Sequence, residues 1–162
     1  MDERERQARA LEETLHHEIP LSLAMGLAVA GYDGERLTLR APLAPNINHK
    51  STAFAGSLNA LTTLAGWGLI WLITHEHDLP SVIVIQESAT HYLRPVGQDF
   101  VATCHIPPAR QVERFVTALR ERGRARLPLT AEIVGGDGQV AVSFTGRYVA
   151  FLAHTDEPPT RL

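Results

Sequence analysis

Ala53-Phe54-Ala55-Gly56-Ser57-Leu58-Asn59-Ala60-Leu61-Thr62-Thr63-Leu64-Ala65-Gly66-Trp67-Gly68-Leu69-Ile70-Trp71-Leu72-Ile73 reads as one helix of about 20 residues, about 30 Å long. Apolar side chains occupy it nearly all round, so no face is set aside for water, and a helix of that pattern belongs in an interior. Its polar groups, Ser57, Asn59, Thr62 and Thr63, crowd into the first two turns. A helix start also presents unpaired N–H donors and the positive end of the dipole. Buried together, these groups suit a polarised carbonyl or an anion; capping and small-residue packing are their plainer uses. A membrane span takes about 20 apolar residues framed by Lys, Arg and aromatic belts. The run Leu58 to Ile73 is shorter, carries Asn59 and two threonines and lacks the frame, so no membrane is expected.

The chain has 162 residues and a net charge of −3. That length makes one domain with a real core, and the charge excludes a general nucleic-acid binder. Cys104 is the single cysteine, so no internal disulfide forms and a cytoplasmic setting is expected. Met1-Asp2-Glu3-Arg4-Glu5-Arg6 is charged with no apolar segment behind it, unlike a signal peptide.

Upstream of the apolar stretch, residues 3–17 read as an exposed helix with Leu11 and Leu15 four apart, ended by Pro20. A short helical turn over residues 21–25 is expected to carry Leu23 and Met25 inward. Strands at 28–32 and 36–41 flank Tyr32-Asp33-Gly34-Glu35, a hairpin signal. Pro42 to Thr52 has no period and leads straight into the polar start of the helix, which makes it the most site-like loop. Downstream, His75-Glu76-His77 lacks the His-Glu-x-x-His spacing, and side chains two apart on a helix diverge, so no metal site is expected. Ser81 to Pro95 reads as a long strand, apolar on both faces over Val82 to Ile85 as in a central strand. Glu87 and His91 then share one face, either as a proton-handling pair or as an exposed cross-strand pair. A strand at 100–106, an amphipathic helix at 109–122 and strands at 126–134 and 139–152 around Gly135-Gly136-Asp137-Gly138 complete the order. Pro128 marks an edge or a bulge. One long buried helix among largely antiparallel strands is an α+β fold.

Two stretches resemble a known family. His91-Tyr92-Leu93-Arg94-Pro95-Val96-Gly97-Gln98-Asp99 is similar to the aromatic-Leu-Arg-Pro-Val end of the third strand in hotdog acyl-CoA thioesterases. Asn46 to Leu58, with Leu64-Ala65-Gly66-Trp67, resembles the thioesterase domain at the C-terminus of YiiD-type proteins. The resemblance covers residues 18–152. It implies a hotdog fold: an antiparallel sheet wrapped around a long central helix, with an extra helix between later strands. The expected organisation is an N-terminal helix at 1–17, a single hotdog domain at 18–153 and a loose tail at 154–162.

The same resemblance implies hydrolysis of an acyl thioester of coenzyme A or acyl carrier protein. Coenzyme A would enter as part of the substrate, with no cofactor, at a site shared between the subunits of a homodimer or homotetramer. Relatives place an Asn six residues before a His-Gly-Gly that opens the helix; here Asn48 precedes Phe54-Ala55-Gly56 by six. Asn48 thereby takes the role of orienting water or the thioester, and the N–H of Ala55 or Gly56, beside Ser57, faces the thioester carbonyl. The motif His is Phe54. The Asp or Glu that many relatives carry nine residues on is Thr63, which cannot serve as the same base. His49, or Glu87 and His91 from a partner's facing strand, are the substitutes, since histidine titrates near working pH. Arg94 or Lys50 would meet the phosphates of coenzyme A. The missing acid also fits a non-catalytic acyl-CoA binding module, and the Glu87–His91 pair a hotdog dehydratase or hydratase.

Overall fold

The apolar stretch folds as helix α3, Ala55–Glu76, 22 residues long, in a computed structural model that describes residues 1–153. The tail expected at 154–162 lies outside the described residues. Six strands form one sheet: β1 (Ala28–Tyr32), β2 (Arg36–Ala41), β3 (Ser81–Tyr92), β4 (Phe100–His105), β5 (Arg124–Val134) and β6 (Val140–Leu152). Their order is β1-β2-β4-β5-β6-β3, and every neighbouring pair is antiparallel. The sheet curls round α3, which touches β2 through β6. The architecture is the hotdog fold. By length and hydropathy α3 could cross a membrane; here its Leu61, Leu69, Ile70 and Leu72 are sealed inside the sheet.

One stripe of α3 is less covered than its composition suggests. Gly56 is exposed, and Asn59, Ala60, Thr63, Trp67 and Trp71 are half-buried. At 100° per residue these positions share one face. The flank of this stripe is tightly packed at Gly66, where a Cβ would stand 2.2 Å from the Tyr148 hydroxyl. That phenol is fully buried and donates to the Thr63 carbonyl at 2.7 Å.

The N-terminal helix α1 (Glu3–Glu18) opens with a capping box between Asp2 and Glu5 and buries Leu11 and Leu15 in the core. It also closes the outer edge of β1. Glu12 accepts from the Val29 N–H at 2.7 Å, and His16 Nε2 donates to the Leu27 carbonyl at 2.8 Å. An unpaired N–H on a part-buried edge is costly. Glu12→Ala is therefore expected to lower the unfolding free energy by about 1–2 kcal/mol, read as a lower midpoint in urea with an unchanged slope. An unchanged midpoint would mean that water replaces the carboxylate without loss.

Helix α2 (Pro20–Ala24) carries Met25 inward, but Leu23 is 60% exposed, contrary to expectation: five residues make barely more than one turn, and Met25 fills the inward position. The hairpin forms as expected; Gly34 takes φ +90°, and the Asp33 carboxylate accepts from the N–H groups of Glu35 and Arg36. Helix α4 (Ala109–Arg122) lays Phe115, Val116 and Leu119 against β5 and β6 and stops at Gly123 in the left-handed region. Pro128 lies where β5 has β6 on one side only, because β4 pairs with β5 no further than Ala131–Ile133.

Strand β3 departs from the sequence reading twice. It is an edge strand of the chain, not a central one: Ile83 is buried, while Val82, Val84 and Ile85 are half-buried. Its register on β6 also slips between Ile85 and Glu87, leaving Gln86 as an extra residue. Such a bulge moves every later side chain to the other face. Ile83 and Ile85 therefore lie opposite Ala150 and Tyr148 on the α3 side, whereas beyond the bulge it is Ser88, Thr90 and Tyr92, opposite Gly146, Phe144 and Val142, that face α3.

Candidate active site

The loop before α3 is a rigid platform. Asn48 N–H donates to the Thr52 carbonyl, Phe54 N–H to Asn46, and Ala53 N–H to the carbonyl of Val96 in the β3–β4 loop. Buried Asn46 donates from Nδ2 to the carbonyls of Met25 and Pro42. The Asn48 carboxamide is spent within the same loop: its oxygen accepts from the N–H groups of Lys50 (2.8 Å) and Thr52 (3.2 Å), and its Nδ2 donates to Thr52 Oγ1 (2.9 Å). In this arrangement Asn48 shapes the platform. His49 and Lys50 lie exposed at the tip.

Helix α3 has Phe54 at its N-cap and no side-chain cap. Ser57 and Leu58 N–H donate to the Phe54 carbonyl at 3.0 and 3.1 Å. The N–H groups of Ala55 and Gly56 have no partner among the described residues. Two free donors at the positive end of a 22-residue helix form a seat for a carbonyl oxygen that gains charge. The Phe54 ring folds back over Gly56, so a side chain there would have to displace this exposed ring.

Beside this start lies a cavity of about 290 Å³, lined by Asn48, Thr52, Ala55, Leu58 and the segment Tyr92 to Val96. Arg94 borders it, with its guanidinium 3.6 Å from Asp137. The structure thus brings Asn48, Ala55 and Arg94 to one cavity; Phe54, Gly56 and Ser57 flank Ala55 in the chain but do not line it. Thr63 lies two turns on, along the half-buried stripe, and its hydroxyl has no hydrogen-bond partner among the described residues.

Glu87 and His91 are not part of this gathering. The bulge at Gln86 turns both onto the face away from α3, where Glu87 forms an ion pair with Arg147 of β6. A larger cleft, about 610 Å³, lies on that outer face, walled by Pro107, Pro108 and Gln111 and floored by Ala89, Thr145 and Gly146. Its charges, Glu87 and Arg147, are spent on each other, and it lies away from the start of α3; the smaller cavity is the one joined to chemistry.

Sequence reasoning missed one contact. Thr90 of β3 donates its hydroxyl to the Asn59 side-chain oxygen at 2.7 Å. Asn59 stands out in the sequence as a polar residue in the first turns of a buried helix, but its partner comes from a strand whose parity the bulge reverses. Elsewhere, His75 and His77 donate from Nδ1 to the carbonyls of Trp71 and Ile73. Among the described residues no three His, Cys, Asp or Glu side chains gather as metal ligands would. Cys104 is fully buried, and burial pushes its thiol up to about 12. It is therefore expected to stay unmodified by an aromatic disulfide reagent until the protein unfolds, with no release of the coloured thiolate; rapid labelling of the folded protein would contradict its burial.

Comparison with known proteins agrees with this fold. The family model YiiD_C, described as "Putative thioesterase (yiiD_Cterm)", matches residues 8–152. A crystal structure of a protein of unknown function from Chlorobaculum tepidum TLS is 32% identical, with a TM-score of 0.89 over 93% of this chain and 97% of the other. A structure from Shewanella oneidensis described as a "putative thioesterase" is 31% identical, with a TM-score of 0.82 over 91% and 99% of the two chains. A protein from Pseudomonas aeruginosa, 21% identical with a TM-score of 0.76 over 90% and 95%, speaks to the fold alone.

Proposed function

Because the chain belongs to the YiiD C-terminal thioesterase family, we propose that it hydrolyses an acyl thioester of coenzyme A or acyl carrier protein at the start of α3. The observation that carries this reading is the uncapped first turn, whose Ala55 and Gly56 N–H groups have no partner among the described residues and whose Ala55 lines a cavity. Water adds to the thioester carbon, and the carbonyl oxygen takes negative charge and is held by those N–H donors. The C–S bond then breaks, releasing acid and thiol. Losing one such donor typically costs about 10²–10³ in rate. Asn48 holds the loop that walls the cavity; Arg94, which lines it, or Lys50 at the exposed loop tip would meet the phosphates of coenzyme A. No cofactor is called for; coenzyme A is part of the substrate.

A second copy completes the site in this reading. β3 is a 12-residue edge with an apolar first half, and an edge of that length and composition pairs readily with another strand. The half-buried stripe from Gly56 to Trp71 faces the same side.

The test is release of free thiol from acyl-CoAs of graded chain length. Hydrolysis of at least one is expected. Binding without release at any length would favour the second reading, a non-catalytic acyl-CoA binding module, which rests on Thr63 standing where an acid would act. A hydratase has less support: its acid and histidine must converge on one substrate, and Glu87 and His91 point away from α3.

A further inference from the structure

Asn59 lies one turn into α3, on the stripe that also holds Gly56 and Thr63. Helical side chains lean toward the N-terminus, so a residue three positions on hangs back over the turn before it. Asn59 thus stands one turn after Gly56 on the same face of the helix. It is pinned there by another element: the Thr90 hydroxyl donates to its oxygen at 2.7 Å. A carboxamide whose oxygen is taken offers its Nδ2 hydrogens, and among the described residues nothing accepts from them. Asparagine is a poor helix former in such a position because it competes for backbone groups. Thr62 limits that cost locally by returning its hydroxyl to the carbonyls of Leu58 and Asn59. A disfavoured residue, held from a separate strand with its donor unpartnered among the described residues, suits an acceptor that arrives from outside.

We propose that the Asn59 side-chain amide, oriented by the Thr90 hydroxyl, donates to the thioester oxygen together with the N–H of Gly56. Asn59 is then a catalytic residue and Thr90 a positioning one. This rests on the thioesterase reading and deepens it, since it gives the developing oxyanion a side-chain donor in a chain whose usual acid is Thr63.

The test separates kcat from KM on an acyl-CoA that the native enzyme hydrolyses. Asn59→Ala is expected to lower kcat about 10²–10³-fold with KM little changed, the cost typical of one oxyanion donor. Thr90→Val is expected to lower kcat less, and Thr90→Ser to recover it. A binding measurement supplies a readout that a merely structural role would not move. Asn59→Ala should weaken a trifluoromethyl-ketone analogue of acyl-CoA, whose hydrate carries an oxyanion-like oxygen, and leave the thioether analogue, which has no carbonyl, bound as before. Native kcat in Asn59→Ala, or equal weakening of both analogues, overturns this assignment while leaving thioester hydrolysis standing. Absence of turnover by the unmodified protein on every thioester overturns both.

Discussion

Gly66→Ala is expected to lower the unfolding free energy by about 3 kcal/mol, the sum of overpacking and a disturbed buried hydrogen bond, less the gain in helix propensity. The added methyl would meet the Tyr148 hydroxyl at 2.2 Å and its ring carbons at 2.5 and 2.7 Å. The ring is fully buried, opposite Leu127 of β5 and Ile85 of β3, so it cannot swing aside. Moving it breaks the bond to the Thr63 carbonyl. Tyr148→Phe alone is expected to cost about 1 kcal/mol, a typical net hydrogen bond. Placed with Gly66→Ala it should remove the tightest contact, so that the double variant is more stable than the two single losses predict by addition. Urea unfolding of the four proteins measures this; strict additivity would mean that Gly66 and Tyr148 do not contact through the hydroxyl.

Thr63→Asp is expected to raise kcat about tenfold or more, the lower end of what a placed general base contributes being about 10². The surroundings of Thr63 favour such a gain. Its hydroxyl is half-buried and unpartnered among the described residues, on the stripe with Gly56, and no ionisable side chain of the same stripe lies between them. His49 stands out at the loop tip, and Glu87 and His91 lie on the outer face. In the proposed reading the native protein works through carbonyl polarisation and positioning, with water or hydroxide as the attacking species. Its kcat should climb with pH across the neutral and mildly alkaline range. The carboxylate introduced by Thr63→Asp is ionised above about pH 4, the ordinary value for such a group, so the variant should instead level off well below neutrality. A native profile with a plateau near pH 7 would point to a titrating base after all, supplied by another chain.

Much of this layout is legible in the amino-acid order. The helix at 55–76, the Asp33-Gly34 hairpin, the Val112–Leu119 face of α4 and the two closing strands follow from hydrophobic period and turn chemistry alone. The helix start is legible as well, because polar groups inside an apolar run require a reason. What is hidden depends on register. One extra residue at Gln86 reverses which side chains of β3 meet α3. Glu87 and His91 share one face, as their spacing says, and Glu87 makes the cross-strand pair with Arg147; past the bulge it is Ser88, Thr90 and Tyr92 that meet α3. A bulge has no marker here, since Gln86 is neither glycine nor proline. The Asn48 carboxamide is hidden for a similar reason: a loop asparagine can serve a ligand or its own backbone, and only the turn at Asn48–Thr52 decides. Leu23 shows the limit of periodicity in a helix of five residues.

The most direct measurement is a crystal structure with a hydrolysis-resistant acyl-CoA analogue that keeps its carbonyl. The expected result is the carbonyl oxygen within hydrogen-bond distance of the Gly56 N–H and Asn59 Nδ2, with the pantetheine arm passing Arg94. A carbonyl seated elsewhere, such as the cleft between Pro107 and Arg147 on the outer face, with the first turn of α3 left to water, would contradict it.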